Sequence, residues 1–288
     1  MFGNVVELIE MAKHSSIADI MIDIEIKQTG KDRQEIIDKM DKHFKVMEDA
    51  IKLGLDGIES LSGLTGYDGK RLKEYLDRGV FLTDKTAVSA IAYAIGTGEV
   101  NAAMGVICVA PTAGAAGVIP AVLFALKDKL NLDRKACLDF LFTAGAMGLI
   151  VANNATISGA TGGCQAEVGS ASAMAAAAAV AVAGGTPEQS AVAFSLALQN
   201  MLGLVCDPVA GLVEIPCINR NVSGAMNALA SAEIALAGVS CKIPADEVIE
   251  AMRKIGEDMC VSLRETADGG LATTKSGEEL RTQSMMGS

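Results

Sequence analysis

Hydrophobic and polar residues follow a helical spacing along most of the chain. The segment DRQEIIDKMDKHFKVMEDAIKLG, residues 32–54, places large apolar side chains every three or four positions, which predicts an amphipathic helix capped by Asp32 and stopped by Gly54. The apolar positions are Ile36, Ile37, Met40, Phe44, Met47 and Ile51. No stretch alternates convincingly with the period of two that is typical of strands. The pattern predicts an all-α fold, a helical bundle.

Four further helices are predicted from the residues that precede apolar runs. Thr83, Asp133 and Thr186 stand where a side-chain oxygen can accept a hydrogen bond from the first turn of a helix. Pro187 and Pro244 are expected in the first turn, where the missing N–H group does no harm. The predicted helices therefore cover most of the chain.

Charged side chains are distributed unevenly. Residues 100–240 carry only 13 of them and contain two uncharged runs, residues 100–126 and 140–166. Each run is longer than the roughly 18 apolar residues that indicate a membrane span. Pro111 and Pro120 interrupt the first run, Asn153 and Asn154 interrupt the second, and glycines interrupt both. The chain also has no Trp, which favours a buried core over a membrane bundle. We expect one domain, residues 1–288, with a small-residue-rich buried central block and a more polar helical part at residues 1–99.

Composition narrows the classes of function. The chain is 50% hydrophobic but only 3% aromatic, and it holds 30 glycines, which favours close helix–helix packing. Its net charge of −11 argues against nucleic-acid binding, because phosphate neutralisation needs an excess of Lys and Arg. Glu7 and Glu10 interrupt any signal-peptide pattern. We expect a cytoplasmic protein whose seven cysteines are thiols or metal ligands rather than disulfides.

Three segments rich in small or turn-forming residues interrupt the central block. They are APTAGAAGVIPAVL (110–123), NNATISGATGGCQAEVGSASAMAAAA (153–178) and CDPVAGLVEIPCINRN (206–221). The first opens into a helix whose free N–H groups suit a carboxylate or phosphate, although a plain tight turn explains it at least as well. Cys164, Cys206 and Cys217 lie in the other two, at intervals that match no common zinc signature. On spacing alone, buried core thiols are the simpler interpretation.

The same segments resemble signatures of the iron–sulfur-dependent L-serine dehydratase alpha chain. The resemblance extends to ADIMIDIEIKQTGKDRQEIIDKM and to LRETADGGLATTKSG, and so covers nearly the whole chain. It implies an amino-acid-degrading lyase that converts L-serine to pyruvate and ammonia, with a [4Fe–4S] cluster as Lewis acid on the serine hydroxyl. Two alternatives stay open. One is a related cluster-dependent enzyme that removes sulfide from L-cysteine, and the other is an Ala/Gly-rich membrane or structural helical bundle.

The resemblance also implies roles for single residues. Cys164, Cys206 and Cys217 would be the cluster ligands and leave one iron open to substrate. Substrate contacts are expected from Thr112, Gly114, Gly117, Asn153, Asn154 and Ser158, each of which also suits a cap or turn. The chain departs from many family members at Ala113 and Thr161, where Asn and an acidic residue are common. The resemblance therefore implies a site that is less polar than usual.

Structural roles are expected for the remaining cysteines, and supporting or structural roles for the acidic residues next to the three ligand candidates. Glu167 and Asp207 are expected either to orient groups around the ligand cysteines or to pair with Arg220. The remaining cysteines are interpreted as core residues because their surroundings are helical or apolar. They are Cys108, Cys137, Cys241 and Cys260.

No catalytic base is evident in the glycine-rich segments. His14 lies near a helix entry and His43 on the charged helix of residues 32–54, where we expect it to face solvent. Lys85 starts a predicted helix and, with His14, is a remaining candidate base. In the family that the chain resembles, a separate beta chain or fused beta domain completes the site. We therefore expect L-serine and a beta chain as partners, and an oligomer of unlike or like chains.

Overall fold

The computed structural model describes residues 2–286. This part of the chain forms thirteen α-helices and no β-sheet, which confirms the predicted all-α class. The helices are α1 Val5–Met11, α2 Ile17–Thr29, α3 Arg33–Asp56, α4 Asp68–Arg78, α5 Lys85–Ala102, α6 Val118–Leu130, α7 Arg134–Asn154, α8 Gly159–Gly162, α9 Ser170–Val182, α10 Pro187–Gln199, α11 Cys217–Leu236, α12 Ala245–Asp258 and α13 Lys275–Met286.

Most predicted helix starts are confirmed. Asp32 and Thr186 each head a capping box, in which cap and third residue satisfy each other's backbone N–H groups, and Asp133 caps α7. The prediction at Thr83 is wrong by one residue. Asp84 caps α5 instead, because its carboxylate accepts the N–H group three residues further on at 2.8 Å.

Two predicted boundaries need correction. Pro244 is the residue before α12 rather than part of its first turn. Gly54 does not stop α3, which continues to Asp56. Gly54 lies where α3 crosses α5, and a Cβ atom on it would overlap the backbone of Gly96. This glycine therefore serves the close approach of two helices and not the end of one.

The alanine-rich helix α9 lies at the centre of the molecule. It packs against α6, α7, α10 and α11, and the side chains of residues 171–180 are at most 5% exposed. Alanine side chains lose no rotamer freedom and let neighbouring helices approach closely. The small-residue block predicted from the sequence is thus a buried core that four helices surround.

Two helical stretches are long and apolar enough to cross a membrane. They are Arg134–Asn154 and Gln165–Val182, and 67% and 89% of their most apolar windows are buried inside the protein. Their hydrophobic surface is therefore largely covered by other helices of the same chain.

The helices of the N-terminal third pack around this block. Helix α2 lies on α7, while α3 and α4 pack on α5, which in turn contacts α6 and α11. At one end of the bundle, the short 3₁₀ turns Ala113–Ala115 and Val209–Gly211 meet the turns that surround α8 and follow α12. The three small-residue segments therefore converge at one end of the bundle.

Candidate functional site

Cys164 stands at the start of the helical stretch that leads into α9. The residue before it, Gly163, has φ of +73°, and a Cβ atom there would lie 2.6 Å from the Met259 sulfur and 2.9 Å from the Leu204 carbonyl. Only glycine tolerates both the left-handed backbone and this close approach. The loop therefore needs glycine to deliver Cys164 to the site.

The turn after Cys164 is π-helical, over Gln165–Gly169, and buried contacts of Gln165 hold it. The Gln165 N–H donates to the Leu204 carbonyl at 2.9 Å, and its side-chain amide donates to Met252 O at 3.0 Å. Its Oε1 accepts the Gly203 N–H at 2.9 Å. A π-turn inserted in a helix is frequently found at functional sites. Here it lies between Cys164 and the regular turns of α9.

Cys206 and Cys217 come from an irregular segment and a helix start. Cys206 forms an isolated parallel bridge with Arg264: its N–H donates to Leu263 O at 2.8 Å, and its carbonyl accepts the Glu265 N–H at 2.7 Å. Cys217 is the first residue of α11. The segment after α12 therefore fixes one cysteine, and a helix end fixes the other.

The structure brings these three cysteines together. Their exposed fractions are 2%, 3% and 8% for Cys164, Cys206 and Cys217. A hydrogen bond between Cys206 and Cys164 lowers the pKa of the Cys164 thiol and raises the pKa of Cys206. Burial raises the pKa of Cys217 to about 12, and the nearby Cys164 adds to this rise. The Arg220 guanidinium lowers the pKa of both Cys164 and Cys217, and so adds to the shift at Cys164 and opposes the one at Cys217.

This donor set fits a cluster of several irons. Within residues 2–286, no three His, Cys, Asp or Glu side chains are grouped so that they could hold one metal ion. In an iron–sulfur cluster the thiolates bind different irons, so the ligands need not meet at one point. Three buried thiols from separate segments, with a guanidinium nearby to offset thiolate charge, match that requirement.

Glu167 is the acidic side chain that faces the cysteines. It is 8% exposed, and its carboxylate lies 3.9 Å from the Cys206 sulfur. Burial raises the pKa of Glu167, although the nearby Thr112 hydroxyl and Gly159 N–H act against the rise. A Cβ atom on Gly114 would lie 3.2 Å from the Glu167 carboxylate. Thr112 and Gly114, two predicted substrate contacts, therefore lie beside the cysteines.

Other predicted substrate contacts have different surroundings. The N–H of Gly117 already donates to Asn221 Oδ1 at 2.9 Å, so it is not free for a carboxylate. Asn154 is exposed and its amide donates to the carbonyls of Gly3 and Ile150, both at 2.8 Å. Asn153 is also exposed, in the last turn of α7. In the structure, none of these three predicted substrate contacts touches a cysteine.

Ser158 lies close to the cysteine group. It precedes Gly159, on which a Cβ atom would be 3.1 Å from the Cys206 sulfur. The carbonyl of Ser158 accepts the N–H groups of Thr161 and Gly162 at 3.2 and 2.9 Å and so starts α8. Ser158 therefore combines a helix-starting role with a position next to the site.

Asp207 takes the structural role that the sequence left open. Its Oδ1 lies 2.7 Å from the Arg220 guanidinium, and the two side chains are 4% and 15% exposed. Its Oδ2 accepts the Leu271 N–H at 2.7 Å. Gly270 has φ of +59°, and a Cβ atom on it would overlap the Asp207 carboxylate. The pair thus joins the Cys206 segment, α11 and the segment after α12.

The remaining cysteines are not alike. Cys137 is fully buried in α7, as predicted. Cys108 and Cys241 are half-buried in connecting segments. The core prediction is wrong for Cys260, which is exposed and whose sulfur lies 3.2 Å from the Ser262 hydroxyl. It follows the end of α12, where no helix covers it.

The candidate bases lie away from the cysteines. His14 is exposed in the turn after α1, and Lys85 begins α5 at the end opposite to Ala102, roughly 25 Å along the helix. His43 is exposed, yet it borders a cavity of about 400 Å³ that also touches Pro111. Burial lowers the pKa of His43, and Lys39 adds to the effect. None of these side chains contacts the three thiols.

Glu214 is a buried residue near the site that sequence reasoning missed. Its carboxylate is 4% exposed and accepts hydrogen bonds from the hydroxyls of Ser62 at 2.8 Å and Thr65 at 2.6 Å. Its carbonyl accepts the Ile218 N–H in the first turn of α11. The contact ties residues far apart in sequence, so no local pattern could have revealed it. The hydrogen bonds of Glu214 hold in place the backbone segment that precedes Cys217.

Comparison with known proteins identifies the family of the chain. The family model described as "Serine dehydratase alpha chain" matches residues 12–272. The chain is 56% identical to the probable L-serine dehydratase, alpha chain, of Bacillus subtilis, over 97% of this chain and 94% of that protein. It is 44% identical to the L-serine dehydratase, alpha chain, of Peptoniphilus asaccharolyticus, over 96% and 95%.

A longer relative shows a different chain organisation. The chain is 39% identical to the L-serine dehydratase of Streptomyces coelicolor over 92% of this chain, but the match covers only 59% of that protein. The longer relative therefore carries a large additional segment joined to the part matched here. With the family model and near-full-length relatives in agreement, the chain belongs to the serine dehydratase alpha chain family.

Proposed function

We propose that this chain is the alpha chain of an L-serine dehydratase and binds a [4Fe–4S] cluster through Cys164, Cys206 and Cys217. The observation that carries the proposal is the buried grouping of these thiols: Cys164 interacts directly with Cys206, and its charge acts on Cys217. Relatives that match the chain over almost its full length bear the name L-serine dehydratase, alpha chain. Thiolates are the usual protein ligands of such clusters.

When bound, the cluster would supply an iron with an open coordination position, which acts as a Lewis acid on the serine hydroxyl. The protein's own groups would hold the rest of the substrate. The Thr112 hydroxyl, beside the 3₁₀ turn Ala113–Ala115, would donate to the serine carboxylate, and the buried Glu167 carboxylate would accept from the ammonium group. Removal of the α-proton and the hydroxyl gives an enamine, which hydrolyses to pyruvate and ammonia.

The α-proton requires a base other than Glu167, whose carboxylate would hold the ammonium group. His14 and Lys85 lie elsewhere, and Asp207 is engaged by Arg220. The name "alpha chain" borne by the relatives supports a second chain as the source of this group. We therefore place the base on a beta chain, which would also close the site against water.

Anaerobic reconstitution with iron and sulfide tests the proposal. The loaded chain is expected to show visible thiolate-to-iron absorption and to release pyruvate from L-serine when its cognate beta chain is added. Without the beta chain the rate is expected to fall about 10²–10⁴-fold, the usual contribution of a positioned proton-transfer group. L-Cysteine as substrate, with sulfide as the product measured, distinguishes the related desulfidase.

Single cysteine variants provide the matched comparison. Cys164→Ala, Cys206→Ala and Cys217→Ala are each expected to lose iron and colour, whereas Cys137→Ala, at a buried thiol in α7, keeps both. Full iron content and colour in all three site variants would overturn the ligand assignment. Full activity of the chain alone would show that the base lies here.

A further inference from the structure

Large apolar side chains are exposed on three segments around the cysteine site. We define the apolar rim as Leu61, Met104, Val106, Val109, Val261 and Leu271, with exposed fractions of 74, 79, 76, 57, 67 and 44%. Single exposed apolar residues are normal on any protein. Other apolar side chains are exposed elsewhere, but these six lie together on segments that contact the site, and such a group indicates a surface that another molecule covers.

Each of the three segments contacts the site itself. Residues 103–109 lead directly into Ala110 and Pro111, and the Asn101 amide holds the following turn at Ala113 O, 3.2 Å away. This connection leaves α5 through Met104, which takes φ of +58°. The backbone therefore presents Met104 and the residues after it at the edge of the segment that contains Thr112.

The other two segments hold the cysteine-bearing loop. Leu61 lies between Ser60 and Ser62, and Ser62 and Thr65 bond to Glu214 just before Cys217. Val261 and Leu271 flank the stretch whose backbone bonds to Cys206 and to Asp207. The rim residues thus surround the same end of the bundle as the three thiols.

The occupant is indicated by the relatives. The match with the Streptomyces coelicolor relative covers 59% of that protein. In that protein an additional polypeptide segment is joined to the part matched by this chain. Relatives of this chain's own length are named alpha chain, which implies that the additional part is a separate chain.

We propose that the apolar rim is the docking surface for the beta chain, which covers the cysteine site when it binds. The inference rests on the proposed function, since that proposal supplies the partner. Docking at this place positions the partner next to Thr112 and Glu167, where a base for the α-proton is required. It also shields six apolar side chains from water, which supplies binding free energy.

Affinity of the two chains tests the proposal without any turnover. Val106→Asp and Val261→Asp lie on two different rim segments, and both side chains are exposed, so the fold of the alpha chain is expected to persist. Each is expected to weaken binding of the cognate beta chain by at least about tenfold in anaerobic titration calorimetry. Hydrogen exchange of residues 103–109 is expected to slow when the beta chain binds.

The matched control is Leu82→Asp. Leu82 is 97% exposed and precedes α5, whereas Met104 follows it, so the length of that helix, about 27 Å, separates them. Affinity of this variant is expected to stay within about twofold of the wild type.

Several results would overturn the docking surface. They are unchanged affinity of both rim variants, equal weakening by Leu82→Asp, no binding of the beta chain, or self-association of the alpha chain that Val106→Asp abolishes. A complex that depends on the rim but releases no pyruvate would support the surface and contradict the proposed function. The two proposals therefore fail in different ways.

Discussion

Asn221 on α11 accepts the backbone N–H of Gly117 through its Oδ1 atom at 2.9 Å. Its amide nitrogen donates to the carbonyls of Gly114 at 2.7 Å and Cys217 at 2.8 Å. Asn221 is 2% exposed, so these bonds have no competition from water. One side chain thus joins the segment that carries Thr112 to the helix that carries Cys217.

Replacement of Asn221 by Ala is expected to loosen this connection. The change leaves the buried N–H of Gly117 without a partner, which costs about 1–3 kcal/mol, and frees the half-buried carbonyl of Gly114, which costs less. We expect a loss of roughly 2–4 kcal/mol in the free energy of unfolding, measured by denaturant titration of the metal-free chain.

Asn227→Ala is the matched control on the same helix. The Asn227 amide donates to Ser172 Oγ and Ala197 O, both at 2.9 Å, in the bundle core. Asn227→Ala is also expected to lower stability but to leave the KM for L-serine unchanged. Asn221→Ala is expected to raise that KM. Equal KM values for the two variants would contradict the role given to Asn221.

Gly54 and Gly145 are predicted to respond to the same substitution with opposite signs. Gly54→Ala places a methyl group against the backbone of Gly96, which cannot move aside, and overpacking of this kind costs about 1–3 kcal/mol. Gly145 lies within α7 with no atom near an added Cβ, so Gly145→Ala is expected to stabilise by about 0.5–1 kcal/mol. Thermal unfolding of both variants beside the wild type measures the difference. Destabilisation by Gly145→Ala would show that space is tighter there.

Asp207 and Arg220 form a buried ion pair whose loss is expected to be costly. Asp207→Asn leaves the guanidinium without its charged partner, and breaking one side of a buried pair typically costs about 3–5 kcal/mol. Asp41→Asn breaks the exposed pair with Arg134 and is expected to cost at most about 1 kcal/mol. Denaturant unfolding of the metal-free variants measures both. A small effect at Asp207 would mean that water reaches the pair.

Glu99 is predicted to make stability depend on pH. Its carboxylate is 1% exposed and accepts the N–H groups of Asp68 at 2.7 Å and Gly69 at 3.0 Å at the start of α4. Burial nevertheless raises the pKa of Glu99. The folded chain therefore keeps this proton to a higher pH than the unfolded chain, whose value is about 4.3. Stability consequently falls as the pH rises from about 4.3 to the folded pKa and is constant above it.

The difference in unfolding free energy between wild type and Glu99→Gln isolates this effect. Measured from pH 4 upwards, the wild type is expected to lose stability relative to the variant across the window. Glu250→Gln, measured from about pH 5 down to pH 2, provides the opposite sign, because Arg253 lowers the pKa of Glu250 to about 2 and its contribution is lost as the pH falls across that range. A difference that is independent of pH for Glu99 would contradict the prediction.

Helix starts could be predicted because a cap is a local contact. Asp32, Asp133 and Thr186 each accept an N–H group three residues ahead, and the sequence shows both partners. The prediction that Thr83 caps α5 was wrong because two side chains that could accept the N–H group are adjacent in sequence, and Asp84 is the one that does. The prediction that Gly54 ends α3 was wrong because its role depends on contact with Gly96 of α5, 42 positions further along the chain.

The grouping of the site residues could not be predicted from their spacing in the sequence. Proximity of Cys164, Cys206 and Cys217 depends on α9, an isolated bridge to Arg264 and the start of α11, which no local pattern encodes. The family resemblance indicated this grouping, and the cluster ligand roles stay a prediction. The network around Glu214 had no signal, since its partners lie about 150 positions away. Long-range contacts of this kind need the fold.

The complete burial of α9 has a consequence for how the cysteines respond to fluctuations. Backbone amides of residues 171–180 are covered on all sides and are expected to exchange with solvent deuterium only through global unfolding. Cys164 is attached to the start of this slowest-opening unit, whereas Cys206 lies on an irregular segment that can open locally. Oxidants and chelators would therefore reach the Cys206 side first, and Cys164 would remain in place as the anchor for reassembly.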